Sequence, residues 1–235
     1  MAVAKKLGFH FYEDAHHYTR RYWDDWYTHT GQTSNWICLK SSFAKAIPDI
    51  ILKACQENQI QVLLQFDLME WCSSSLGDRE KLLNHYQRQG IRYVQLDGYI
   101  NQRTTWKGIS NNGPLLHQIS QTVIDFHKVA VNNGFLHVLP TLFPGGDLWD
   151  LVVLRYLFQE FQSNEIQPKQ LVMSFAAWVN GHSLTWGMGG KRKWTQPQPY
   201  QDIFSGQDHR GFMGFEWYQE LALEEFGKKL PSILL

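Results

Sequence analysis

The sequence predicts an α/β fold of the TIM (β/α)8 type, incomplete at about seven strands, on three observations. Short apolar runs rich in aromatic or β-branched residues recur along the 235 residues, and most are followed by a polar or glycine-containing turn and a helical pattern. That alternation is the mark of repeated βα units with a parallel sheet. No glycine-rich phosphate loop follows any of the runs, which disfavours the doubly wound dinucleotide-binding fold that would alternate in the same way. The length suits one barrel of about 250 residues, so residues 1–235 are read as a single domain.

The strand runs, in order, are Leu7–Phe11, Trp36–Lys40, Gln61–Phe66, Tyr93–Leu96, Leu136–Pro140, Leu171–Phe175 and Ser232–Leu235. Pro48-Asp49 opens the first helical stretch, because proline suits a first turn, and Asn58-Gln59 closes it. Asp78 is taken as the cap of Arg79–Gln89, which stops at Gly90. Leu115–Asn133 carries Leu116, Ile119, Val123, Phe126, Val129 and Ala130 at three- and four-residue spacing and stops at Gly134. Asp147–Gln162 and Phe215–Lys228 complete the set, and Asn180–Arg210 is a long glycine- and proline-containing excursion of the kind that carries function.

Twenty-two basic and 22 acidic residues cancel, so nothing in the composition attracts nucleic acid or an anionic membrane, and the expected partner is neutral. Aromatic residues make up 14%, with 10 Trp and 10 Tyr, many beside Gly, His, Asn or Gln. Such rings can stack on the apolar faces of sugars, although core filling and loop anchoring account for them as readily. Cys38, Cys55 and Cys72 have neither metal-ligand nor disulfide spacing. No run approaches the ~18 apolar residues of a membrane span or the pattern of a signal peptide. The expectation is a cytoplasmic chain with no cofactor and no metal.

Three stretches resemble the clan A glycoside hydrolases of the cellulase and xylosidase type. Ala46-Ile47-Pro48-Asp49 leading into Ile60–Leu64 resembles the helix and third strand of that group. Gly90–Leu96, followed by Asn101 and Trp106, resembles the fourth strand and its loop, and Pro144-Gly145-Gly146-Asp147 after Leu136–Leu142 resembles the fifth strand and turn. The resemblance implies a barrel with its site at the carboxyl ends of the strands. Active members end the fourth strand in Asn-Glu-Pro, whose Glu is the acid/base; here Gly98-Tyr99-Ile100 stand there. The His and Tyr that follow the sixth strand are absent from Ser174-Phe175-Ala176-Ala177, and the sequence stops at Leu235, just before the nucleophile's place in the seventh strand. Retaining hydrolysis needs two carboxyl groups about 5–5.5 Å apart, so their loss removes the mechanism.

Asp97, near the end of the fourth strand, and Asp67, just after the third-strand run, are the candidates for a replacement pair; as turn caps they would be ordinary. Glu216 is a third carboxylate, placed where a solvated first helical turn is expected. Substrate-binding candidates are His10, ending the first strand, Tyr99, Asn101 and Trp106 after the fourth, and Trp178 and Asn180 after the sixth. His16-His17 with Glu13 and Asp14 do not read as a metal site, since adjacent histidines diverge. Lys191-Arg192-Lys193 beside Trp194 reads as a solvated basic run. The reading is therefore a degenerate glycosidase-like barrel that binds carbohydrate without cleaving it. The rivals are an active O-glycosyl hydrolase with atypical carboxylates or a further C-terminal part, and an interaction scaffold. With only seven strands, Leu7–Phe11 would be an open edge, which invites self-association unless the Asn180–Arg210 excursion covers it.

Overall fold

The computed structural model describes residues 8–12, 17–109, 113–193 and 210–235, with the Lys191 side chain excepted. Seven strands alternate with helices and lie side by side in chain order, β1-β2-β3-β4-β5-β6-β7. Every strand run read from the sequence is present: β1 Gly8–His10, β2 Trp36–Ser41, β3 Gln61–Asp67, β4 Tyr93–Asp97, β5 Leu136–Val138, β6 Leu171–Phe175 and β7 Ser232–Leu234. The chain is thus α/β with the strand order of a (β/α)8-type barrel, seven of whose strands are described. Its contacts divide into two compact units: Met1–Asp97 with Phe126–His137, and Gly98–Asp125 with Val138–Leu235.

In the first unit β1, β2, β3 and β4 pair in parallel, with His10 opposite Cys38, Lys40 opposite Gln65, and Gln65 opposite Gln95. The β3 row Val62, Leu64, Phe66 is buried towards the helices. Phe66 meets Trp71, Tyr86 and Phe126, and Ser41 Oγ lies 2.7 Å from Tyr86 Oη. Period-two alternation therefore turns Leu63, Gln65 and Asp67 to the opposite face. Tyr86 also accepts from the Ile47 backbone N–H at 2.9 Å, so one phenol ties two segments to α4, Leu76–Arg88.

Helix α2, Asp49–Glu57, starts as expected behind Pro48 and buries Ile51, Leu52, Ala54 and Cys55. The cap of α4 is a correction: Ser75, not Asp78, is the N-cap. Ser75 Oγ accepts from Asp78 N at 3.2 Å and donates to Asp78 Oδ2 at 2.7 Å, so Asp78, at the third helical position, holds the capping hydroxyl and is not itself the cap. Two helices escape the apolar-run criterion. In α1, Arg20–His29, the buried face is only Trp23 and Trp26, three apart among charged residues, and both pack near Phe11. Helix α3, Leu68–Ser73, is too short for periodicity and leaves directly from β3. The second half of α5, Leu115–Asn132, buries His127, whose Nδ1 lies 3.3 Å from Nδ1 of His137 on β5. Burial holds His127 down at about pKa 4, with Lys128 adding to it, and holds His137 well below the usual histidine range.

In the second unit β6 and β7 pair in parallel, Met173 opposite Ser232 through Phe175 opposite Leu234. Helix α6 runs Asp150–Ser163, three residues later than its expected start, because Asp147 and Asp150 serve the preceding loop. Asp147 accepts from Arg103 N at 2.8 Å; Asp150, buried, accepts from Gly145 N at 3.0 Å and from Tyr218 Oη at 2.7 Å. Helix α7 is the short turn Gly190–Lys193. Helix α8, Phe215–Phe226, ends two residues before the expected Lys228, at Gly227 with φ 69°, the left-handed position glycine tolerates. It packs on α6, and Arg155 reaches Glu224 at 2.8 Å and Glu225 at 3.1 Å.

All three residues of β1 are exposed, Phe9 by 39%, and β1 stands at one end of the strand order of the described residues. Residues 194–209 lie outside the described residues, and with them the expectation that the excursion covers that edge.

Candidate functional site

Two groupings of functional side chains stand out, one in each unit. The first is the polar face of β1–β4. Because paired residues in register share a face, His10, Lys40, Gln65 and Gln95 lie on the face turned away from the helices, with Asp67 opposite Asp97 one step further on. Gln65 Nε2 donates to Gln95 Oε1 at 2.8 Å, both side chains buried. Lys40 Nζ meets Asp97 Oδ2 at 2.9 Å, with 36% of the lysine and 32% of the aspartate side chain accessible. Tyr18 Oη donates to the Lys40 carbonyl at 2.6 Å and fixes the end of β2. His10 is exposed at the end of β1.

Asp67 and Asp97 are neighbours in register, as a replacement pair requires, but each has other work. Asp67 caps α3, its Oδ1 accepting from Glu70 N at 2.9 Å. Glu70 in turn accepts from Ser42 Oγ at 3.1 Å and Phe43 N at 3.0 Å, anchoring the loop after β2. Asp97 is the ion-pair partner of Lys40.

The second grouping is aromatic. Tyr99, Phe143 and Trp178 meet edge to face: Tyr99 to Phe143 at 5.4 Å and 86°, Tyr99 to Trp178 at 5.9 Å and 75°, and Phe143 to Trp178 at 5.5 Å and 77°. This is the preferred geometry of ring quadrupoles. Trp178, after β6, remains 42% exposed while the other two rings hold it. Thr105 Oγ1 donates to the Tyr99 carbonyl at 2.9 Å and steadies that backbone.

Asn101 and Trp106 belong to the support of this cluster. Asn101 is fully buried; its Nδ2 donates to the carbonyls of Phe143 at 2.8 Å and Leu148 at 2.9 Å, and its Oδ1 accepts from Phe143 N at 2.8 Å. It holds the loop that carries Phe143 and leaves no face for a ligand. Trp106, 7% exposed, donates from Nε1 to the Ile100 carbonyl at 2.7 Å. Asn180 is exposed with φ 48°, the residue that turns the chain after Trp178. Glu216 lies in the first turn of α8, where its carboxylate accepts from Gly189 N. Arg192 pairs with Glu220 at 3.0 Å.

Glu13, Asp14, His16 and Trp194 lie outside the described residues. His17 stacks on Tyr12 at 4.2 Å, a packing role. Among the described residues no three His, Cys, Asp or Glu side chains are grouped to hold a metal ion, and no helix is long and apolar enough to cross a membrane. Burial pushes the Cys55 thiol up to about 12, which leaves it unreactive.

Sequence reasoning missed Lys40, Gln65, Gln95 and Phe143. A signal existed for the first three: each is polar inside an otherwise apolar run, and strands of a parallel sheet are normally apolar on both faces. Phe143 gave none, since an aromatic residue before Pro-Gly-Gly reads as loop anchoring.

No family model matches the chain, and no curated protein matches it. Solved structures do. A D-psicose 3-epimerase from Clostridium cellulolyticum H10, solved with D-tagatose, matches with TM-score 0.54 at 13% identity, over 98% of this chain and 84% of the other. A D-psicose 3-epimerase solved in the presence of D-fructose matches with TM-score 0.51 at 11% identity, over the same shares. A fungal β-1,4-galactanase gives TM-score 0.42 at 10% identity, over 65% of this chain and 55% of that one. The two epimerase matches show a shared fold, the TIM-barrel type, and at these identities nothing finer.

Proposed function

We propose that this chain is a carbohydrate-binding barrel of the clan A glycosidase type that does not cleave its ligand. The observation that carries the reading is the Tyr99–Phe143–Trp178 cluster, in which a half-exposed indole is propped from its edges and offers a rigid apolar surface of the kind a pyranose stacks on. The commitments of Asp67 to a helix cap and of Asp97 to Lys40 support the absence of cleavage, since a general acid must be able to hold and release a proton at the glycosidic oxygen.

The test is a panel of chromogenic glycosides together with fluorescence titration by cello-, xylo- and galacto-oligosaccharides. The expected result is no turnover above background and quenching of Trp fluorescence by at least one oligosaccharide. Trp178→Ala should weaken that binding by roughly 1–3 kcal/mol, the scale for a large buried side chain. Turnover abolished by Asp67→Asn or Asp97→Asn would establish an active hydrolase instead. Absence of any saccharide binding would leave the scaffold reading.

A further inference from the structure

Three Asn-Gly pairs occur in the sequence, Asn112-Gly113, Asn133-Gly134 and Asn180-Gly181. Such a pair is a latent reaction centre. The backbone nitrogen of the second residue can attack the asparagine side-chain amide, and glycine leaves that nitrogen unhindered and its backbone free to turn. A hydrogen bond from the nitrogen, or one that holds the amide, opposes the attack because it must first be broken. Asn112 lies outside the described residues, and folding treats the other two pairs in opposite ways.

Asn133-Gly134 is held on both counts. It closes α5, where Gly134 N donates to the Val131 carbonyl at 2.9 Å, Asn133 N to the Ala130 carbonyl at 3.1 Å, and Asn133 Nδ2 to the Val129 carbonyl at 2.8 Å. Asn180-Gly181 is open on both. With φ 48° and 79° these two residues are the centre of a type I′ turn, closed by His182 N donating to the Val179 carbonyl at 2.9 Å. The peptide N–H between the two central residues takes no part in that bond, and among the described residues nothing accepts from Gly181 N or engages the Asn180 amide. Residues 178–185 are all exposed, and a Cβ added at Gly181 would meet no atom beyond its chain neighbours within 4 Å, so water reaches the turn and no packing opposes its rearrangement.

We propose that Asn180 is a site of spontaneous modification, at which the folded chain converts a side-chain amide into a carboxylate. Gly181 N, its proton taken by hydroxide, attacks Cγ of Asn180. The N–Cγ bond forms, the Cγ–Nδ2 bond breaks, and Nδ2 leaves as ammonia with a proton from water, which regenerates the hydroxide. Water then opens the cyclic imide. Opening at Cγ gives aspartate; opening at the main-chain carbonyl of Asn180 gives isoaspartate, whose backbone runs through Cβ and Cγ. The net change is water taken up and ammonia released, with nothing oxidised or reduced. Either product sets a negative charge directly after the exposed Trp178-Val179, and isoaspartate lengthens the turn by a methylene. An isoaspartyl residue in exposed chain is also the substrate class of enzymes that methylate its carboxylate, so this turn is where such a partner acts. The inference is independent of what the chain binds.

The experiment incubates the folded, full-length protein in mildly alkaline buffer and follows each Asn-Gly pair by peptide mass mapping, with a parallel sample in urea as the unfolded reference. Isoaspartate is measured separately by methyl transfer from S-adenosylmethionine with a purified isoaspartyl methyltransferase. In the folded protein Asn180 should convert at least about tenfold faster than Asn133, whose hydrogen bonds must break first, and in urea the two rates should converge. Asn180→Gln, whose longer side chain must close a larger ring, should remove the Asn180 share of methyl incorporation. The comparison of two positions in one wild-type sample decides the matter without any variant. A folded-state rate at Asn180 no greater than at Asn133 overturns the inference, since the fold then protects both. Aspartate at position 180 with no isoaspartate overturns the cyclic route.

Discussion

Replacing Asn101 by Ala separates a structural brace from a ligand contact. The buried amide makes three hydrogen bonds to the backbone of Phe143 and Leu148, at 2.8–2.9 Å. At a net value near 1 kcal/mol each, their loss destabilises the fold by about 3 kcal/mol. That is a large part of the ~5–15 kcal/mol by which domains are stable. Equilibrium urea unfolding should show the midpoint falling by about 1 M or more with an unchanged m-value. Asn101→Asp should not rescue it, because a carboxylate still accepts from Phe143 N but faces two carbonyls it cannot donate to. Gly146→Ala approaches the same amide from the other side: the added Cβ would stand 2.5 Å from Asn101 Nδ2, so it too should destabilise. The reasoning is refuted if Asn101→Ala costs less than about 1 kcal/mol yet abolishes saccharide binding, since the residue would then serve the ligand and not the loop.

Stability should fall as the pH drops below 6.5. His127 and His137 both have folded-state pKa values below the ordinary one, so between 6.5 and about 4 the unfolded chain binds protons that the folded chain excludes. Each contributes up to about 1.4 kcal/mol per pH unit in that window, and His127→Leu should flatten the slope of unfolding free energy against pH. Tyr86→Phe removes the partner of Ser41 and of Ile47 N and should cost about 1–3 kcal/mol by thermal or urea unfolding; Ser41→Ala should cost less, because it leaves Tyr86 bonded to Ile47 N. Asp67→Ala should cost about 1 kcal/mol through the lost cap of α3 and Asp67→Asn much less, as asparagine caps equally well.

The sequence by itself determined the strand series and most of the helices. A parallel strand buried on both faces must be a short apolar run, and such runs are legible without any knowledge of what they pack on. The long amphipathic α5 was legible for the same reason, through its spacing. Helices α1 and α3 were not, because two tryptophans three apart, or six residues after a strand, acquire a buried side only from the packing around them. The sequence placed polar and aromatic candidates after the right strands, but it could not say which would be spent inside the protein. Asn101 and Trp106 follow β4 as a ligand contact would, yet their hydrogen-bonding atoms are taken up by backbone groups between 6 and 47 residues away along the chain. Phe143 and Lys40 are the converse: ordinary in sequence, they matter because folding sets one ring against Trp178 and one ammonium against Asp97. Local pattern fixes which face of an element is apolar. Only tertiary contact decides whether a polar group finds its partner within the protein or must find it in a ligand, because that partner is supplied by chain far away in sequence.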